Sequence, residues 1–387
     1  MTKRILYSIV VIMITLLSFG VRVYAAQRLA VDYDEPVYLG AAVEYAKYIR
    51  TGDYKMLAWS ENTYEHPALY KILYGVVLLT QTPLEKLPDN DLPRLAPIDT
   101  TEAGDWNIAG RYLSVFWGTM AVLILTLANP LAGLFLGVST LSVKYTSEVY
   151  LEALPLLASL LSALAYMNWF NKVRKDASAP QRHMLPLILS AAFLGITAAS
   201  KYVYSIVGLA IFIHFILAVY QKQTPVRLFF YLAIWGILSV AVFFIFDPYL
   251  WPHPISRLMK TIIFHEQFQN SRLVNQYSYP FWQPLRWLSA FSVYYDLRPP
   301  SAFVFNIDTF IFVLAVIGLP RLYQKQRLFF NWLVVGLVFL LVWTTKWPQY
   351  TLIILAPFSM AAAEGCVSIW RLIQRSFQTR SSPTIKP

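Results

Sequence analysis

Apolar positions along the chain gather in blocks of roughly 16 to 20 residues, such as Ile5 to Tyr24 and Leu228 to Phe246. That is the length an α-helix needs to cross a hydrocarbon core about 30 Å thick. The pattern predicts ten transmembrane helices, over 5–24, 109–128, 131–147, 150–170, 185–200, 202–220, 228–246, 303–319, 328–343 and 349–370. Another apolar stretch, Ala68 to Thr80, has only about 13 residues, short for a crossing, and suits an interfacial or re-entrant helix. The first block follows Lys3 and Arg4 with no convincing small-residue cleavage site, so it reads as an uncleaved span.

Composition agrees: 57% of residues are hydrophobic and 14% charged, against about 25% charged in soluble proteins. A water-soluble globule and a disordered chain are both excluded, leaving an all-α polytopic membrane protein. The single cysteine, Cys366, permits no internal disulfide. A net charge of +11 would point to nucleic acid only as a patch on a folded soluble surface; here the charges lie in joints between apolar blocks, so no nucleic-acid partner is expected. Topology accounts for them instead. If Ala68 to Thr80 does not cross, the N-terminus, 171–184, 221–227, 320–327 and the tail after Trp370 share one side and carry fifteen bases against one acid, Asp176. Enrichment in Lys and Arg marks the cytoplasmic side. The expectation is a multi-pass protein of the plasma (inner) membrane with both termini cytoplasmic, a single domain over 1–377 and a disordered tail over 378–387.

Two long segments then face outward, 25–108 and 247–302, and loops of that size are uncommon unless functional. In the first, Tyr38, Ala42, Tyr45, Tyr48 and Ile49 recur at helical spacing with Glu44, Lys47 and Arg50 between them, which predicts an amphipathic helix on the membrane surface. On this topology the chemically suggestive polar residues map to the outer side: Asp32, Asp34, Glu35, Glu65, His66, Arg111, Glu148, Glu152, Lys201, Asp247, Lys346 and Tyr350. A one-sided cluster suggests a site at the outer interface. Glu364, the one acid deep in a span, is expected to pair with Arg111 or a tyrosine.

After the first span the sequence reads V-D-Y-D-E-P-V-Y (Val31 to Tyr38), then E-H-P-A-L-Y (Glu65 to Tyr70), A-G-R-Y-L-S-V (Ala109 to Val115), G-I-T-A-A-S-K-Y (Gly195 to Tyr202), D-P-Y-L-W (Asp247 to Trp251) and K-W-P-Q-Y (Lys346 to Tyr350). In their order and shared side these elements resemble the GT-C superfamily of membrane glycosyltransferases, in particular its protein O-mannosyltransferase and aminoarabinose transferase branch. It departs at Val37, a position often basic in the aminoarabinose branch, and at Ala68, where H-P-P-L has its second proline. The resemblance implies a GT-C-like bundle with juxtamembrane helices in the first outer loop. It also implies transfer of a sugar from a polyprenyl-phosphate donor to an acceptor hydroxyl of a protein, lipid or polysaccharide on the non-cytoplasmic face.

Such chemistry needs a carboxylate to accept the acceptor proton. Asp34 is the choice for the base, with Glu35 or Glu65 beside it raising its pKa; the local pattern alone favours Asp34 and Glu35 as capping acids of the following helix, and the resemblance reverses that preference. Cations must meet the leaving phosphate, for which Lys201 and Lys346 are the leading candidates and Arg286 and Arg298 weaker ones; the lysines could instead snorkel to headgroups. His66 is a candidate for the phosphate or for orienting Glu65. Tyr38, Arg111, Glu152 and Tyr350 complete the expected substrate-binding set. Asp32 and Asp34 form a D-x-D, and His253, His265 and Glu266 lie close in sequence, but none has zinc-site spacing, so no metal is expected. A transporter or lipid flippase, motivated by the ten spans and Glu364, and a non-catalytic assembly partner are the competing readings.

Overall fold

The computed structural model describes residues 3–60, 64–81, 104–176, 180–290 and 307–380, and among them there is no β-strand. The helices in chain order are α1 (Lys3–Arg28), α2 (Glu35–Thr51), α3 (Tyr54–Trp59), α4 (Leu69–Gln81), α5 (Gly104–Ala128), α6 (Pro130–Val138), α7 (Thr140–Tyr145), α8 (Ala153–Lys175) and α9 (Met184–Ser200). They continue with α10 (Ile206–Tyr220), α11 (Phe229–Phe246), α12 (Pro254–Gln269), α13 (Arg272–Tyr277), α14 (Gln283–Ala290), α15 (Asp308–Lys325), α16 (Arg327–Val342) and α17 (Leu355–Arg380). Seven of the described segments, built on α1, α5, α8, α9, α10, α11 and α17, are long and apolar enough to cross a membrane. The other three predicted spans fall on α6 with α7, on α15, which carries Asp308, Arg321 and Lys325, and on α16, which has 16 residues. Of the expected tail, residues 381–387 lie outside the described residues.

Two expectations are corrected by packing. The amphipathic helix exists as α2, but its apolar face is covered by α4 and is not left for lipid: Tyr38, Ala42, Tyr45 and Ala46 are buried. Small residues allow the close approach, since a Cβ on Gly75 of α4 would lie 2.7 Å from the Ala42 carbonyl oxygen. α2 ends where Gly52 takes φ +72° and its N–H reaches the Ile49 carbonyl, the left-handed closure a glycine adopts at low cost.

The second correction concerns 131–147, which is not one continuous span. It breaks at Ser139, whose backbone is extended (φ −60°, ψ 129°). Such a break orphans carbonyls on one side and N–H groups on the other, at several kcal/mol each (about 2–7) in an apolar setting. Two charged side chains from distant helices meet them. Arg22 of α1 donates to Gly137 O at 3.0 Å and to Ser18, Ser142 and Thr146 side-chain oxygens at 2.6–2.8 Å. Asp308 of α15 accepts from Thr140 N at 3.1 and 3.3 Å. Replacing Asp308 by leucine is expected to cost about 1–3 kcal/mol through the unmet donor, read as a lower thermal midpoint in detergent, with Asp308→Asn retaining most of the stability.

α15 and α17 approach most tightly. A Cβ on Gly318 would sit 1.9 Å from Ala361 O, and one on Gly365 2.0 Å from Leu314 O, the backbone-to-backbone contact that small residues permit between membrane helices. Gly318→Val is therefore expected to separate the pair and destabilise by about 1–3 kcal/mol; an unchanged midpoint of thermal unfolding would contradict this packing.

Candidate active site

The chain leaves α1 at Arg28 and re-enters helix at Glu35, so residues 29–34 form a short turn at one end of the bundle. A buried ion pair holds that turn. Glu35 accepts from Arg111 Nε (2.8 Å) and Nη2 (2.5 Å), and also from Val149 N (2.7 Å) and Asp32 N (3.0 Å). The same Arg111 donates to the carbonyls of Ala26, Leu29 and Ala30. Both side chains are buried, and the bidentate geometry is the strong form of this pair. Glu35 and Arg111, expected to touch substrate, have their polar atoms occupied inside the protein: they tie α1, α2, α5 and the 146–152 loop together.

Asp34, one residue earlier, is left available. It is half-buried, makes no capping bond to α2, and has Gln349 Nε2 3.5 Å from its Oδ2. The capping alternative is therefore not what its side chain does. Burial pushes the Asp34 carboxyl up to about 7; Lys201 pulls it down, and the carboxylates of Asp32, Glu65 and Glu152 push it further up.

Asp32 fares differently. Burial alone would raise it, but Lys144 Nζ at 2.5 Å and the Tyr150 hydroxyl at 2.6 Å hold it below the usual carboxylate range. Lys144 also donates to both Glu148 oxygens at 2.8 Å, while burial pushes Glu148 upward. Neither Lys144 nor Tyr150 was among the expected site residues. A lysine inside an apolar block, four residues before a glutamate, was the available signal.

On the other side of Asp34, Lys201 forms a buried ion pair with Glu152 and lies 5.3 Å from the Tyr350 ring centroid. The second Glu152 oxygen, Oε2, is buried without a hydrogen-bond partner. Tyr38 is buried between His66 (ring centroids 6.2 Å apart) and Tyr150 (5.9 Å). The Glu65–His66 turn is braced from three places: Lys71 donates to His66 O, His265 Nε2 lies 3.0 Å from Glu65 O, and Asp247 accepts from Ala68 N at 3.1 Å. His66 lies 3.7 Å from the Glu65 carboxylate, and burial keeps its imidazole neutral, well below the ordinary histidine range.

Other expected residues go elsewhere. Lys346 donates to the carbonyls of Leu340, Leu341 and Trp343 and so closes the C-terminus of α16. Arg286 is exposed on α14, and Arg298 lies outside the described residues. Glu364 pairs with Arg321 and not with Arg111 or a tyrosine. Among the described residues no three His, Cys, Asp or Glu side chains come together so as to hold a metal ion.

What unites the site is thus one end of an all-helical bundle with a half-buried carboxyl, Asp34, ringed by acids, a paired lysine and tyrosines. No family model matches the sequence, and no curated protein matches it. Solved structures do. ArnT from Cupriavidus metallidurans bound to undecaprenyl phosphate superposes with a TM-score of 0.57 and 16% identity, over 97% of this chain and 61% of that one. The apo state of the same protein gives a TM-score of 0.60 and 16% identity, over 98% and 62%. The chain shares the fold of ArnT, and it is an integral membrane protein spanning about three fifths of the length of those neighbours.

Proposed function

We propose that the protein is a glycosyltransferase that moves a sugar from a polyprenyl-phosphate donor to an acceptor hydroxyl on the non-cytoplasmic face, with inversion at the anomeric carbon. The observation that carries this reading is Asp34: a half-exposed carboxyl with no capping bond, poised near neutrality by its surroundings. The fold it shares with an undecaprenyl-phosphate-bound ArnT supports a lipid-linked donor, and the charge asymmetry of the joints supports an outward-facing site.

In the proposed reaction the acceptor oxygen attacks the anomeric carbon as its proton passes to Asp34. The new C–O bond forms while the bond from the anomeric carbon to the phosphate oxygen breaks, and that electron pair leaves on the phosphate. Lys201, whose field already acts on Asp34, offsets the phosphate charge from within its ion pair with Glu152. Glu35 and Arg111 hold the turn that aims Asp34. No metal enters this scheme.

The test is a transfer assay with purified protein in proteoliposomes and a panel of polyprenyl-phosphate sugars. Release of polyprenyl phosphate that depends on added acceptor is expected for one donor class. Protein that moves a solute across the bilayer and leaves every donor intact would overturn the reading.

A further inference from the structure

Beyond Asp34 the surface changes character. From Gln267 to Trp287 the chain contains no acidic residue and is rich in amides and aromatic rings. Three of those rings and a neighbour, Trp347, form a row. Tyr277 and Tyr279 stack with centroids 5.5 Å apart and planes 15° apart; Tyr277 meets Trp347 edge-on at 5.5 Å, and Tyr279 meets Trp287 at 5.2 Å. Ser278 between the tyrosines takes φ 42° and ψ 45°, a left-handed conformation unfavourable for a non-glycine residue. The row starts at the site, because Trp347 lies two residues before Gln349, which reaches Asp34, and three before Tyr350, which lies under Lys201. Next along, Tyr277 opens to the protein surface, 50% exposed beside the exposed amides of Asn275 and Gln276, and the far end of the row, Trp287, is buried and anchors it.

Rings at a membrane surface usually serve as headgroup-level anchors. Anchoring requires neither mutual stacking, nor a strained residue between the rings, nor amides beside them. Rigid rings with adjacent amides suit a neutral, hydroxyl-rich ligand: rings cover the C–H faces, and amides pair with hydroxyls at low entropic cost. We infer that this row is the acceptor subsite and that the acceptor is a saccharide, whose terminal hydroxyl meets Asp34 while the sugars behind it lie over Tyr277 and Tyr279. The inference rests on the transferase reading and names the acceptor class within it.

The experiment uses the full chain in phosphatidylethanolamine–phosphatidylglycerol nanodiscs and saturation-transfer NMR with neutral oligosaccharides of glucose, mannose and N-acetylglucosamine. At least one saccharide should receive saturation. Tyr277→Leu with Tyr279→Leu, which keeps apolar bulk and loses the rings, should weaken it about tenfold; Tyr277→Phe with Tyr279→Phe should retain it. If no saccharide binds, or the leucine variant binds equally well, the row is a lipid anchor and the inference fails. Donor cleavage, followed in parallel, separates this from the underlying reading: wild-type protein that cleaves the donor but binds no saccharide sinks the acceptor subsite alone. Saccharide binding with every donor left intact sinks the transferase and, with it, the acceptor role, leaving only a saccharide site.

Discussion

Asp34→Asn should fold and insert as the parent does and lose about 10²–10⁴-fold in sugar transfer, the range expected when a general base is removed. Folding should survive because Asp34 makes no capping bond and its nearest polar partner is a glutamine at 3.5 Å. The pH dependence supplies a second readout. With its carboxyl raised to about 7, Asp34 is mostly ionised above that pH and mostly protonated below it. Only the ionised form accepts a proton, so kcat/KM should fall as pH drops through about 7 and level off on the alkaline side. A profile flat between about pH 5 and about pH 9, or a fully active Asp34→Asn, excludes Asp34 as the base.

The neighbouring carboxylate should behave in the opposite way. Glu35→Gln leaves Arg111 buried without its counter-charge, and breaking a buried pair of this kind costs about 3–5 kcal/mol. The expected result is a large fall in folded yield and thermal midpoint, with residual transfer proportional to the folded fraction. Arg111→Met should do the same, since Glu35 would then be buried and unpaired. A Glu35→Gln protein as stable as the parent but inactive would return Glu35 to the catalytic role that its place in the D-E pair suggests.

These two adjacent acids show where sequence reading reached and where it stopped. Asp34 was legible because its signal is local: an acid immediately after an apolar block, on the side that the charge count left facing outward. Glu35 carries the same local signal, yet its partner stands 76 residues away on α5, and nothing in V-D-Y-D-E-P-V-Y distinguishes a carboxylate that will be bound from one that will be left free. Lys144 escaped notice because hydropathy, read over 131–147 as a block, smooths over a one-residue break at Ser139 that turns α7 towards Asp32. Lys346 was read as a cation for the phosphate, but where α16 ends decides what it does: carbonyls at and just past the end of that helix take its three donors.

That this is an all-helical membrane protein followed from contiguous residues, because the length of an apolar block and the charge of a joint are properties of neighbours in the chain. Which carboxyl keeps a proton near neutrality, which lysine is paired and which helix face is covered followed from contacts as remote as Asp34 with Gln349, 315 residues apart. Ionisation and burial answer to what surrounds a group in space, and the folded packing alone sets those surroundings.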